Sequence, residues 1–315
     1  MTQTGLFFMG EAIADHHPDP TNPRCMHVSI GGSMFYGSLG AAKALRRNQV
    51  SDMRAFYVGP VSNDHFGGLI RSDLTEAGVA MDYIRQSEFI NTLSVINEDG
   101  RGGNKYAFYG QKQPNMSEEL RFEDLPKSFK EENKFFCFGS VTTTLSAKGQ
   151  ILKQFAALQT QANSICLYDP NTRPSVIPDA AAYRVALESW VSTVSVAKAS
   201  DEDLTFTYPG LTFDDIARKW LGMGVKAVFI THGMKGCSVY TNEGSRLIEG
   251  RVHDGITRTV GAGDNFNAGI LYGIAISGAN NVDDLTKMSI QDWLKIANIA
   301  NETAYHHLLE ANGLI

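Results

Sequence analysis

The stretch Thr259-Val260-Gly261-Ala262-Gly263-Asp264-Asn265-Phe266 sets two glycines and an acid at the head of an apolar pattern with helical spacing, which continues through Ile270, Leu271 and Ile274 to Gly278. The glycines let the backbone turn tightly and come close to a ligand. Consecutive N–H groups at a helix start form an anion hole, reinforced by the positive end of the helix dipole. An Asp in that position can accept the proton of a hydroxyl that attacks a phosphoryl group. Such a reaction asks mainly for positioning and charge neutralisation, which a loop of this kind supplies. Two other glycine signatures fail here. The chain contains no GxxxxGK[ST] loop, and Phe266 stands where a dinucleotide fingerprint needs Gly. Taken alone, the stretch also fits a Gly-rich turn with Asp264 as an ordinary acid of the first helical turn.

Outward from this stretch, short apolar runs recur at 6–9, 55–58, 135–138, 165–168, 191–196 and 227–230. Continuous runs, rather than strict alternation, suit strands buried on both faces of a parallel sheet. Helical patterns lie between them. One covers 146–162, with Ile151, Leu152, Phe155 and Leu158 at helical spacing; another covers 213–221, behind Thr212 as N-cap with Asp215 at the third position. Strands alternating with helices predict right-handed βαβ crossovers and an α/β fold with a doubly wound, mainly parallel sheet flanked by helices. Segments 12–33 and 84–112 break the rhythm. In the second, Asn97-Glu98-Asp99-Gly100 reads as a hairpin turn between 92–96 and 105–109. The two segments together predict a small β lid, inserted in a single domain spanning 1–315. Ligands of open α/β sheets sit beyond the carboxyl ends of the strands. The cleft candidates are therefore Gly10-Glu11, Gly59-Pro60, Gly139-Ser140, Asp169-Pro170-Asn171, Lys198 and Thr231-His232-Gly233.

Composition narrows the partners. The chain has 315 residues, 43% hydrophobic and 20% charged, with a formal net charge of −6. This balance argues against a broad basic surface, so neither nucleic acid nor membrane is expected as a partner. No stretch approaches the ~20 apolar residues that cross a bilayer, and the N-terminus lacks the basic region of a signal peptide, which points to the cytoplasm. Cys25, Cys137, Cys166 and Cys237 are widely spaced and read as buried small hydrophobes in a reducing compartment. His16 and His17 are adjacent in an extended segment and point to opposite sides, which suits exposed or lid contacts better than a metal pair. Arg46-Arg47 suits the negative end of a helix dipole. Phe7-Phe8 and Phe135-Phe136 read as core strand residues.

Segment 260–266 resembles the C-terminal signature of the PfkB, or ribokinase-like, carbohydrate kinases, and further elements follow in the family's order along nearly the whole chain. Gly10-Glu11 with Asp15 resembles the opening strand and its sugar-contacting Asp, and Gly31-Gly32 the glycine pair beside the sugar. Gly59-Pro60-Val61-Ser62-Asn63-Asp64 with Phe66-Gly67 resembles the VGxxGxDxxG stretch. Asp169-Pro170-Asn171-Thr172-Arg173-Pro174 is similar to the DxNxR segment of fructokinases and 2-keto-3-deoxygluconate kinases. Thr231-His232-Gly233 with Gly236 resembles the TxGxxG nucleotide loop.

The resemblance implies an ATP- and Mg2+-dependent kinase acting on a hydroxyl of a small sugar or sugar acid. It implies Asp264 as base, with Gly261, Ala262 and Gly263 donating N–H groups to the transferring phosphoryl. Asp15, Gly31, Gly32, Tyr36 and Arg173 would face the sugar or the phosphate between the substrates. Lys198, Thr231, Gly233, Gly236 and Asn298 would hold ATP, with Ala297-Asn298 on the helix beside adenine. The lid would exclude water, and its strand edges suggest a homodimer. Three positions depart from the family. Arg258 replaces an Asp of the monovalent-cation site, and with that Asp goes the ground for expecting potassium activation; the Arg258 guanidinium would take over the cation's charge. Ser200-Asp201-Glu202-Asp203 stands for the NxxE element, keeping Asp203 to hold Mg2+ through water. Tyr36 replaces a sugar-binding Asn. Arg101, Lys105 and Lys112 offer lid cations for a sugar acid. A nucleoside kinase on the same fold, with Tyr36 as stacking surface, and a non-catalytic sugar- or nucleotide-binding homologue remain the alternatives.

Overall fold

Leu6, Phe7, Phe8 and Met9 are all buried, and they alternate between two apolar layers: Leu6 and Phe8 face one, Phe7 and Met9 the other. A continuous apolar run does this when successive strand side chains point to opposite faces of a sheet covered on both sides. The computed structural model describes residues 3–98 apart from 20 and 23, then 104–110, 125, 129 and 134–315. From β1 (Thr4–Met9) the chain forms β2 (Ile13–Pro18), β3 (Met26–Gly31), α1 (Ser33–Arg47), β4 (Met53–Ser62), α2 (His65–Ala77) and β5 (Ile84–Ser87). Next come β6 (Leu93–Glu98), β7 (Asn104–Tyr109), β8 (Phe135–Gly139), α3 (Val141–Leu145), α4 (Ala147–Gln161), β9 (Ile165–Asp169) and α5 (Ala180–Val191). β10 (Val196–Ser200), α6 (Asp201–Thr207), α7 (Phe213–Gly222), β11 (Ala227–Thr231), β12 (Cys237–Thr241) and β13 (Gly244–Ile248) follow. The chain closes with α8 (Ala262–Ile276), α9 (Val282–Leu285) and α10 (Ile290–Ala311).

The large sheet has nine strands in the order β13-β12-β11-β10-β9-β8-β1-β4-β5. It is parallel from β5 across to β11 and ends in the antiparallel β12–β13 pair. Helices α1, α2, α8 and α10 supply one apolar layer, and α4, α5 and α7 the other. This is the doubly wound architecture that the alternation predicts. Strand order reverses between β1 and β8, the place where sheets of this kind bind ligands beyond the carboxyl ends, and Gly10-Glu11 and Ser140 lie there. A second sheet, β3-β2-β6-β7, is built from the two segments that break the helical rhythm. Asp64 ties it to the body: its carboxylate caps α2 through the Gly67 N–H at 2.9 Å and accepts the Asn91 N–H at 2.6 Å.

Several sequence expectations are corrected. The run 191–196 is not a strand: Val191 closes α5 and the strand begins only at Val196, so Lys198 lies inside β10 rather than beyond it. Both ends of that run are buried, one by a helix and one by a strand, and apolarity alone cannot tell them apart. Leu152 and Phe155 are buried as expected, but Leu158 is 63% exposed, and α4 turns Ala156 and Gln159 inward in its place. Residues 84–87 belong to the large sheet as its edge strand, paired with β4, so the second insertion contributes only β6 and β7 to the small sheet. Asn97 and Glu98 continue β6, paired with Lys105 and Asn104, while Asp99 and Gly100 lie outside the described residues. Cys25 is exposed, the other three cysteines buried. Thr212 caps α7 as expected, its hydroxyl accepting the Asp215 N–H.

Candidate active site

Helix α8 is preceded by Gly261 at its N-cap, whose φ of 81° is left-handed, a conformation cheap only for glycine. A side chain there would also meet the His307 ring at 2.8 Å and the Tyr36 ring at 3.2 Å. Among the described residues the N–H groups of Gly263 and Asp264 meet no acceptor, whereas the Ala262 N–H donates to the Thr259 carbonyl at 3.2 Å. Among these three positions, the Gly263 and Asp264 N–H groups are open and that of Ala262 is engaged.

Asp264 is 8% exposed. Burial raises its carboxyl to about 6, against the pull of the Ser33 hydroxyl, which donates to Oδ1 at 2.6 Å. Asn171, itself at a positive φ of 43°, directs its side-chain N–H groups at the Ser33 hydroxyl and, at 3.3 Å, at the same Asp264 Oδ1. Two side chains therefore fix Oδ1. Ser33 opens α1 directly after Gly31-Gly32, so the glycine pair also serves to deliver a hydroxyl to the acid.

Beneath this pair lies a buried ionic cluster. Lys198 Nζ bonds Asp169 Oδ2 at 2.8 Å, and Asn267 Nδ2 donates to the same oxygen at 2.7 Å. Burial opposes the charge on Lys198, but Asp169, Asp203 and Asp264 outweigh it and hold the ammonium above its usual value. That ammonium would lie 2.9 Å from a Cβ on Gly263, so a cation abuts the first turn of α8. Asn267 Oδ1 is buried and, among the described residues, meets no partner, an acceptor left open beside the charges. Asp203 is buried as well, and its carboxyl is raised by that burial and by Asp169. One of its oxygens accepts the Ser200 N–H at 3.1 Å in a capping box.

Asp15 projects from β2, 4% exposed, bonded to the Ser94 hydroxyl and raised by burial. A Cβ on Gly31 would fall 2.0 Å from its Oδ2, so only glycine fits beside the acid. At Gly32, with φ 111°, a side chain would strike the Glu11 carbonyl at 2.5 Å. Arg173 donates to the carbonyl of Thr172 at 3.0 Å and stacks on the Tyr106 ring of β7 at 5.0 Å, so it bridges body and small sheet. Its charge favours the ionised forms of Asp15, Asp203 and Asp264. Tyr36 packs its ring under Gly261 and edge-on to His307 at 5.8 Å.

Thr231 ends β11, and Gly233 and Gly236 shape the turn behind it. Gly236 has φ 103° and no room for a side chain, since a Cβ there would fall 2.0 Å from the Ile248 carbonyl oxygen. Asn298 is exposed on α10 and donates to the Leu294 carbonyl of its own helix at 3.0 Å. The side chain of Arg258 is exposed and takes no described acid, so nothing in the structure puts its guanidinium at the site. His16 and His17 diverge, one against Phe66 and the other on the Ser29 hydroxyl at 3.2 Å. Among the described residues no cluster of three or more His, Cys, Asp or Glu is poised for a metal, and no helix is long and apolar enough to cross a membrane. Arg101 and Lys112, and the side chain of Lys105, lie outside the described residues. Ser33 and Asn267 carry no sequence signal of their own; only the place of Ser33 after two glycines, and the helical spacing of Asn267 from Asp264, point to them.

A profile described as "pfkB family carbohydrate kinase" matches residues 7–304. A fructokinase of Rhizobium leguminosarum bv. trifolii is 28% identical over 265 residues, covering 83% of this chain and 77% of that protein. The probable fructokinase-6, chloroplastic, of Arabidopsis thaliana is 29% identical over 225 residues, 70% of this chain, which spans 57% of that relative's length. Among solved structures, a Xylella fastidiosa fructokinase with bound ATP superimposes with a TM-score of 0.81 at 21% identity, covering 97% of this chain and 91% of that one.

Proposed function

Because the chain belongs to the pfkB family of carbohydrate kinases, we propose that it transfers the γ-phosphoryl group of ATP to a hydroxyl of a small sugar, with fructose as the leading candidate. The observation that carries this reading is Asp264: a buried carboxyl near 6, gripped at one oxygen, at the head of a helix whose Gly263 and Asp264 N–H groups meet no described acceptor and beside which Lys198 lies. The names of the relatives favour fructose.

In this reading Asp264 takes the proton of the sugar hydroxyl as its oxygen bonds to the γ-phosphorus. The bond from that phosphorus to the bridging oxygen breaks, and its electrons leave with ADP. Ser33 and Asn171 aim the carboxylate, and the Ser33 hydrogen bond favours its ionised form. The N–H groups of Gly261, Gly263 and Asp264, with the Lys198 ammonium, face the charge that spreads over the phosphoryl oxygens. Asp15, with Gly31 and Gly32, binds sugar hydroxyls. Arg173 and Tyr106 join the small sheet to the body as a lid that excludes water, which would compete as acceptor. Thr231, Gly233 and Gly236 line the nucleotide side.

Mg2+ fits the donor set in one limited way. Asp203 keeps one carboxylate oxygen clear of its capping box, and like-charge crowding with Asp169 would be relieved by a cation. A metal that needs few protein carboxylates, water and nucleotide phosphates suits that arrangement. When bound, Mg2+ would neutralise phosphate charge, with Asp203 holding it through water.

An ADP-release assay over fructose, other hexoses, 2-keto sugar acids and nucleosides tests the proposal. Turnover highest with fructose supports it. Turnover restricted to nucleosides, or binding without any turnover, overturns it.

A further inference from the structure

The segment leading to Gly261 is held from outside by the last helix. Asn312, which caps the end of α10 by donating to the Leu308 carbonyl at 2.7 Å, also turns its amide on the loop. Its Oδ1 accepts the N–H groups of Thr257 at 3.0 Å and Arg258 at 2.9 Å, and its Nδ2 donates to the Arg258 carbonyl at 3.0 Å. Five residues earlier on the same helix, His307 Nε2 meets the Val260 carbonyl at 2.8 Å. A carbonyl only accepts, so Nε2 carries the proton. Thr259 completes the series through its own carbonyl, which takes the Ala262 N–H.

Two consequences follow from elementary geometry. A trans peptide points its C=O and N–H in opposite directions. Pinning the Val260 carbonyl to His307 therefore fixes the direction of the Gly261 N–H. It also turns a partial negative charge away from the place where phosphoryl oxygens would gather. In addition, the His307 ring and the Tyr36 ring form the platform against which Gly261 rests. Burial lowers the His307 imidazole below its ordinary value, which keeps it neutral and suited to a simple donor role.

We propose that His307 and Asn312 are positioning residues: the end of α10 sets the backbone of 257–261 so that the first-turn N–H groups of α8 meet the transferring phosphoryl. Neither residue touches the reacting atoms. The proposal rests on the kinase reading for its kinetic consequence, but its structural claim stands apart from that reading.

The test uses the full chain and the variants His307→Ala, His307→Gln, Asn312→Ala and Asn312→Asp. Hydrogen exchange is followed on peptides covering 255–266, beside kcat, KM and Tm. A displaced catalytic group can lower turnover by about 10²-fold, so His307→Ala should lose about 10- to 100-fold in kcat while KM for the sugar stays within about threefold. His307→Gln, whose amide N–H reaches as far, should recover most of it. Asn312→Asp keeps the acceptor for the two N–H groups but repels the Arg258 carbonyl, so it should fall between Asn312→Ala and the parent. Loop exchange should accelerate in the alanine variants and return toward the parent in His307→Gln. Unchanged exchange and unchanged kcat in well-folded alanine variants would overturn the proposal, as would an equal loss in His307→Ala and His307→Gln. If the parent phosphorylates no compound, the kinase reading fails, and loop exchange in the variants alone decides whether α10 sets the loop.

Discussion

Replacing Asp264 by Asn should silence the protein and stabilise it at the same time. Burial lifts this carboxyl from 3.8 to about 6 in the folded chain. A buried acid with a raised value binds more protons folded than unfolded at intermediate pH, so native stability falls as pH climbs from about 4 to about 6. Above that range the folded protein carries an anion that its surroundings disfavour. The gap is roughly two pH units at about 1.4 kcal/mol each, an upper limit of ~3 kcal/mol at pH 7.5 that shrinks to ~1 kcal/mol at pH 4.5. Asn cannot ionise, and its side-chain oxygen can still accept from Ser33, so the variant recovers this amount. For a chain of this length, that corresponds to a rise of about 4–5 °C in Tm at pH 7.5. Loss of the base should meanwhile lower kcat by at least ~10²-fold with little change in KM. Differential scanning calorimetry at the two pH values, run beside steady-state kinetics, checks both halves. Near-normal turnover would remove Asp264 from the base role. A Tm change of equal size at pH 4.5 and 7.5 would refute the ionic origin of the strain.

Ser33→Ala removes a hydrogen bond that favours the Asp264 anion. Bonds to charged groups contribute about 1.5 kcal/mol, so the acid limb of kcat/KM should move up by about one pH unit; a limb that stays or moves down contradicts the assigned donor. Lys198→Met leaves Asp169 buried with Asn267 and no cation. Breaking a buried pair on one side costs about 3–5 kcal/mol, readable by urea titration of the variant, and a loss below about 1 kcal/mol would show the pair to be dispensable.

Much of this arrangement is legible in the sequence because the physics is local. The apolar run at 6–9 is short and ends at a glycine, as a strand between two layers does, and Thr212 announces the α7 start through a cap that needs no distant partner. The glycine turn at 261 is equally self-declaring, since its positive φ and crowded surroundings admit nothing larger. What stays hidden depends on contacts between distant parts of the chain. Ser33 and Asp264 are 231 residues apart, and a serine after two glycines looks like any first-turn residue. Lys198 reads as a strand-end cation until the strand boundary is placed five residues after the α5 end, which apolar spacing cannot do. Asn312 and His307 lie on an amphipathic helix whose polar face shows no sign of gripping a loop some fifty residues earlier. Asn298 is carried over by resemblance alone: it is exposed, and its amide donates to its own helix.

Phosphorus NMR of the chain incubated with fructose, ATP and Mg2+ tests the phosphoryl transfer itself. A new sugar phosphomonoester signal, growing in step with ADP and absent with Asp264→Asn, is the expected result. ADP accompanied only by inorganic phosphate, or no ADP at all with fructose and every other sugar tried, would contradict it.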